Sequence, residues 1–203
     1  MKIKILHYIK AIVYSTLLLS MSLLVTNCSK DDTPPNIPVV AAPLQDPLPG
    51  FLVATGFNQI TDPNVNNGDY ELGFSFIPLV NGKITAIVVK IPDVRADLRV
   101  TIWDKVAGTI LKTEIINIAT ANVEVLKQIT PLDLVKDKEY FITYNSNDWY
   151  DRYRTNNASV SYPFIIEDIK ITSFAYTIGT AQVIPSSIRN DFYAGDCSFK
   201  FQK

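Results

Sequence analysis

Apolar residues recur at every second position over short runs, and turn residues separate the runs. Tyr70, Leu72, Phe74 and Phe76 alternate with Glu71, Gly73 and Ser75. Leu98, Val100 and Ile102 alternate with Arg99, Thr101 and Trp103. A period of two sends one set of side chains to each face of an extended strand, so each run has one face to bury. The runs are also rich in Val, Ile, Phe, Tyr and Thr, which fit a pleated surface. Lys83 to Ile91, Thr109 to Ile118, Val123 to Ile129, Tyr140 to Asn145, Ile169 to Ile178 and Phe192 to Phe201 are further strands on this reading. Helical periodicity is weak, with Thr120 to Gln128 the only ambiguous stretch. Eight to ten short strands at this spacing predict an all-β fold. It is expected to be a single antiparallel β-sandwich, jelly-roll or Ig-like, over residues 51–203.

Two turns carry specific expectations. Asn81-Gly82 lies between two strand patterns, and both residues tolerate positive φ, so a hairpin is expected there. Asp104 to Gly108 is expected to turn the chain back from one strand to the next. In the last strand, Tyr193, Cys197, Phe199 and Phe201 share one face, and Asp196, Ser198 and Lys200 share the other. Cys197 therefore reads as a small buried apolar residue.

The first residues read as an export signal. Lys2, Lys4 and Lys10 precede an apolar stretch from Ala11 to Val25, too short for an ordinary membrane span. Leu24-Val25-Thr26-Asn27-Cys28 resembles a bacterial lipobox. Residues 1–27 are thus expected to be a lipoprotein signal peptide, and Cys28 the lipidated first residue of the mature chain. Ser29-Lys30-Asp31-Asp32 resembles the surface-export signal of Bacteroidetes lipoproteins. The expected address is the outer membrane, with the lipid as anchor and the protein facing the cell exterior. Residues 28–50 hold six of the twelve prolines, Pro34, Pro35, Pro38, Pro43, Pro47 and Pro49. They are expected to form an extended tether.

Processing limits the chemistry. The only histidine, His7, would leave with the signal. A Ser-His or Cys-His nucleophile and a His-ligated metal are then excluded. With Cys28 acylated, Cys197 would be the only thiol, and no internal disulfide could form. The formal charge is −1 before processing, and losing three leader lysines makes it more acidic. No basic field favours nucleic acid.

Several segments resemble a bacterial β-sandwich domain of unknown function, number 4082 in that series. They are Tyr70-Glu71-Leu72-Gly73-Phe74-Ser75-Phe76 with Gly82-Lys83-Ile84-Thr85-Ala86-Ile87, and Val100-Thr101-Ile102-Trp103-Asp104 with Gly108-Thr109-Ile110-Leu111. Pro131-Leu132-Asp133-Leu134 with Tyr140-Phe141-Ile142-Thr143-Tyr144 completes the likeness, which spans residues 70–202. The resemblance implies a binding or spacer module, since members of that family often accompany carbohydrate-active enzymes.

Two segments are candidate sites. Trp149-Tyr150-Asp151-Arg152-Tyr153-Arg154 packs three aromatics and two arginines into six residues. Aromatic faces stack on the C–H faces of sugars, and polar neighbours bond hydroxyls. Trp149, Tyr150, Arg152, Tyr153 and Arg154 are therefore the candidate ligand-binding residues, on what reads as a loop. Its exposure would favour binding, and its burial would favour a spacer. Asp62, Asn64, Asn66 and Asp69 place oxygen atoms near Gly68 and are candidate calcium ligands. Beyond that calcium no cofactor is expected. Glu167 and Asp168, adjacent on a strand, would point to opposite faces and could not act as an acid pair. The sequence thus predicts a non-catalytic surface lipoprotein that binds a ligand, with a glycan preferred. An accessory or adhesion subunit contacting a surface protein is the alternative, and an acid-dyad hydrolase the third possibility.

Overall fold

The structure, a computed structural model, describes residues 43–203. The expected signal peptide, Cys28 and most of the expected tether lie outside the described residues. The described chain is all-β, with one helix, α1 (Pro47–Thr55). No helix among the described residues is long and apolar enough to cross a membrane.

Every strand pairing is antiparallel. The large sheet runs in the order β11 (Ser187–Arg189), β10 (Ile169–Ile178), β2 (Tyr70–Pro78), β7 (Tyr140–Ser146), β4 (Arg95–Asp104) and β5 (Thr109–Ile118). The short β9 (Phe164–Ile166) also pairs with β10. A second sheet is β13 (Asp196–Gln202), β3 (Gly82–Lys90) and β6 (Val125–Leu134). A third, smaller one is β1 (Ile60–Asn64), β8 (Trp149–Tyr153) and β12 (Tyr193–Ala194).

The large and second sheets face each other across the core, as alternation requires. Leu72, Phe74, Phe76, Val100, Ile102 and Ile142 come from one side, and Ile84, Ile87, Val89, Cys197, Phe199 and Phe201 from the other. Phe76 and Phe199 meet across it with ring centroids 4.6 Å apart. Cys197 is a free, buried thiol, and burial pushes its pKa far above the ordinary value. Its neighbours on the strand alternate outward, where Ser198 and Lys200 meet Asp46.

Three local expectations are corrected. Asn81-Gly82 does not close a hairpin, because β2 and β3 belong to different sheets. Leu79 to Asn81 instead carries the chain across the sandwich. Gly82 is glycine for space, since a Cβ there would overlap the Phe201 ring. The Asp104–Gly108 turn does join β4 to β5. Asp104 accepts a bond from the Ala107 amide at 3.0 Å, and Gly108 takes a φ of 67°. Glu167 and Asp168 form the turn between β9 and β10 rather than strand, and Glu167 has a φ of 52°.

The third correction moves the start of the folded body. Residues 47–50 are helix, not extended tether. Pro47 and Pro49 fall in the first turn, where a missing amide hydrogen costs nothing. Asp46 caps the turn by accepting from the Leu48 amide, and Gly56 ends the helix at a φ of 76°. Leu48, Phe51 and Leu52 are buried, and Phe51 packs on Phe164 and Tyr193 with centroids 5.7 and 5.4 Å away. Gln45 exchanges both backbone bonds with Phe201, at 2.8 and 2.9 Å. The folded body therefore includes Gln45 to Gly50, inside the stretch read as linker.

Candidate functional site

The small sheet exists because β8 is shared. Its residues alternate, so Trp149, Asp151 and Tyr153 face one way and Tyr150 and Arg152 the other. The segment 149–153 is strand, not the expected loop. Trp149 and Tyr150 are 5% and 6% exposed, so neither ring stands free in solvent as a platform, and these two residues by themselves favour the spacer; residues 151–154 are half-buried.

The five nominated binding residues divide between two places. Tyr150 donates its hydroxyl hydrogen to Asn122 Oδ1, and Lys90 Nζ sits 5.4 Å from its ring centre. Arg152 forms a two-pronged pair with Asp196 and also donates to Thr61 Oγ1 at 2.9 Å. Arg154 lies beside Gly56 with its Nε buried. Tyr150 and Arg152 tie the small sheet to its neighbours, while the buried Arg154 Nε has no hydrogen-bond partner among the described residues. Arg152 also lines a separate cleft of about 220 Å³ with Lys90, Glu124 and Asp196, whereas the Trp149 side carries the aromatic rings.

That side forms a cleft of about 250 Å³ at one end of the sandwich. There the inner face of the large sheet extends past the core and the small sheet covers it incompletely. Tyr70 and Leu72 come from β2, Tyr176 and Ile178 from β10, Trp149 and Asp151 from β8, and Ala194 from β12. Asn67 and Phe192 complete the wall from flanking loops. The register explains the grouping: Tyr70 pairs with Ile178, and Leu72 with Tyr176, on one face. Trp149 meets Tyr70 edge-on at 4.8 Å, Tyr70 meets Tyr176 at 5.9 Å, and Phe192 lies 6.4 Å from Tyr176. Tyr153 continues the row, 5.9 Å from Phe192. Tyr70, Tyr176 and Phe192 are partly exposed and present ring surface to the opening.

Polar groups sit among these rings. Asp151 accepts from Trp149 Nε1 at 3.1 Å and from Asn64 Nδ2 at 2.8 Å. Burial, and then the Asp151 charge, pushes the Tyr153 hydroxyl up to about 12. Tyr153 is therefore a neutral hydrogen-bonding group at any physiological pH. The site offers stacking surfaces, an amide, a carboxylate and hydroxyls, which is the chemistry of a polyhydroxylated ligand.

The expected calcium ligands are distributed differently. Asp62 and Asn64 lie on β1, where Asn64 Oδ1 accepts from Asn67 at 3.0 Å. Asn66 Oδ1 accepts from Asn147 Nδ2 at 3.0 Å, and Asp69 lies 4.0 Å from the Arg95 guanidinium. The Asn oxygens thus go to amide donors, and Asp69 leans on a cation. Asn66 takes a φ of 52°, and its amide bonds Asp148 at 2.8 Å, so this segment is a loop fastened to the β7–β8 turn. Among the described residues no group of three or more His, Cys, Asp or Glu could hold a metal ion.

Sequence reading missed Tyr70, Tyr176, Phe192 and Asn67. They are far apart in the chain, and only the strand order brings them together. A faint signal existed: Tyr70 and Tyr176 sit at strand ends, where a strand leaves the core. Comparison of the chain with protein-family models, with curated proteins and with solved structures finds no match in any of the three.

Proposed function

We propose that the chain is a non-catalytic cell-surface binding module, lipid-anchored at the outer membrane through Cys28, and that it takes a carbohydrate in the aromatic cleft. The observation that supports this is the row Trp149, Tyr70, Tyr176 and Phe192 around a cleft that also holds Asp151 and Asn67. Aromatic rings bind the apolar faces of sugars, while the amide and carboxylate select hydroxyl positions. At about 250 Å³ the cleft is smaller than the roughly 300–1,000 Å³ usual for a buried ligand, so it suits part of a glycan rather than a whole one. A lipid anchor would raise the local concentration of the module at the surface and offset weak single-site affinity.

The proposal excludes hydrolysis. Asp62 and Asp151 are cross-strand partners and come nearest to an acid pair at the cleft. Asp151, however, already accepts two hydrogen bonds from within the domain. Chromogenic glycosides should therefore show no turnover above a heat-denatured control, and turnover lost in Asp151→Asn would overturn this part.

Binding is tested by titrating glycans against the full chain and following tryptophan fluorescence. Trp149 lies in the cleft, so a bound sugar should change its emission. Tyr176→Ala removes a partly exposed wall and should weaken binding at least about fivefold. Tyr176 also packs on Tyr70, Phe174 and Phe192, so the titration is run well below the lowered melting temperature of the variant. A glycan panel with no binder, or equal binding by Tyr176→Ala, would refute the assignment.

A second reading, an accessory subunit for a protein partner, draws on β5. This strand has a free edge and exposes Ile110, Leu111 and Ile115. Lys112 and Glu114 pair with the core-facing Ile102 and Val100, an inward charge that discourages indiscriminate edge pairing.

A further inference from the structure

The cleft has an electrostatic asymmetry that the stacking reading leaves unused. Asp62 on β1 is directly opposite Asp151 on β8. Cross-strand partners share a face, so the two carboxylates stand on one face, Asp151 lining the cleft and Asp62 exposed at its rim. Like charges in this position destabilise a sheet. Among the described residues neither has a Lys or Arg partner, although eleven ion pairs form elsewhere. The cation nearest the aromatic wall, Arg189, lies 4.9 Å from the Phe192 ring centre and is already committed to Asp191 at 2.6 Å. The acid pair is thus a local cost that the fold does not neutralise.

The rings beside it have the same sign of preference. The faces of Tyr70, Trp149 and Tyr176 carry negative quadrupole potential and attract a cation. Asp151 accepts from Trp149 and Asn64 and also meets the Tyr153 hydroxyl, which leaves about one of a carboxylate's roughly four acceptor sites open. A uronate or sulfate would meet two carboxylates and negative ring faces. A neutral sugar would stack and leave the acid pair as it was. A ligand with an ammonium group would satisfy both features at once.

We infer that the cleft selects a glycan bearing a free amine, with the ammonium beside Asp151 and Asp62 and the sugar ring against the aromatic row. This rests on the reading of the cleft as a sugar site. It separates amino sugars from their N-acetylated forms, in which the same nitrogen carries no charge.

The experiment compares three β-1,4-linked oligosaccharides of equal length by calorimetry with the full chain: glucosamine, N-acetylglucosamine and glucose, at a pH where the amine is protonated. The glucosamine oligomer should bind at least about tenfold tighter than the other two. Its advantage should shrink as salt is added, while binding of the neutral oligomers stays level. Asp62→Asn, outside the cleft lining, should cut the advantage severalfold without weakening the glucose oligomer, whereas Asp151→Asn should cut the advantage and also weaken the neutral oligomers. Asp62 is exposed and makes no side-chain bond among those described, so its variant should stay folded, with a melting temperature at or slightly above the wild type's as the like-charge contact is relieved, even if Asp151→Asn disturbs Trp149. Equal affinity for all three oligomers, or an advantage untouched in Asp62→Asn, would overturn the inference and leave the sugar site standing. Binding of none would take both down.

Discussion

Asp46→Ala tests where the folded body starts, because this carboxylate holds the first described turn in three ways. It caps α1 through the Leu48 amide at 3.2 Å. It accepts from the buried Ser198 hydroxyl at 2.6 Å and from Lys200 Nζ at 2.9 Å. Replacing an N-cap acid by alanine costs about 1 kcal/mol. A hydrogen bond to a charged group contributes roughly 1.5–3 kcal/mol. The lysine pair is partly exposed and adds under about 1 kcal/mol. One carboxylate makes all three, so the losses overlap, and a total of about 2–3 kcal/mol is expected. For a domain of this size that is a drop of roughly 5–10 °C in Tm.

Urea unfolding of the full chain, followed by tryptophan emission, measures the loss. The midpoint should fall and the slope should stay constant, since the native body is otherwise intact. Asp46→Asn retains an acceptor for the cap and for Ser198 and should lose less than half as much. If Asp46→Ala changed stability by less than about 0.5 kcal/mol, residues 45–55 would not be part of the cooperative unit. The extended-tether reading of residues up to 50 would then be restored.

Further outcomes follow from single positions. Gly195 and Gly108 both have positive φ, but a Cβ at Gly195 would overlap the Tyr144 ring while Gly108 faces open space. Gly108→Ala should cost about 1 kcal/mol from backbone strain alone, and Gly195→Ala clearly more, compared by urea midpoints. Cys197 should resist a thiol reagent at pH 8 in the native chain and react promptly in denaturant, because burial suppresses the thiolate. Burial also raises the pKa of Glu71 above its ordinary 4.5, despite bonds from Thr143 and Arg99. The folded chain then holds this proton to higher pH than the unfolded one, so its contribution is present below pH 4.5 and lost as pH rises through the raised value. Urea midpoints of the wild type between pH 4 and 7 should therefore decline relative to those of Glu71→Gln. Parallel profiles would contradict this.

The sandwich was legible because its signal is local. Alternation at Leu72, Phe74 and Phe76 states which face is buried before any partner is known. The bounds of β5 and β10 match the runs Thr109 to Ile118 and Ile169 to Ile178. Pairing was less accessible, since it depends on chain crossings. Asn81-Gly82 has hairpin chemistry, yet its flanking strands enter different sheets, and the glycine serves the close approach of Phe201 instead. Helix α1 was hidden for a related reason. Its prolines argue against helix everywhere except the first turn, and its burial comes from Phe164, Tyr193 and β13, none of which is near in sequence.

The cleft shows the same division more sharply. The composition of 149–154 pointed to an aromatic surface, and Trp149 does belong to one. A strand, however, distributes its side chains in alternation, which a loop need not do. Tyr150 and Arg152 were therefore bound to leave the face that Trp149 and Asp151 occupy. The vacated positions are filled by Tyr70 and Tyr176, neighbours only because β2 and β10 pair. Asp62 follows the same logic. As one of four oxygens in a loop it resembled a calcium ligand, but as the cross-strand partner of Asp151 it becomes half of an unneutralised acid pair. The same residue thus points to a metal when read along the chain and to an organic cation when read across the sheet. Only the second reading uses the aromatic rings beside it.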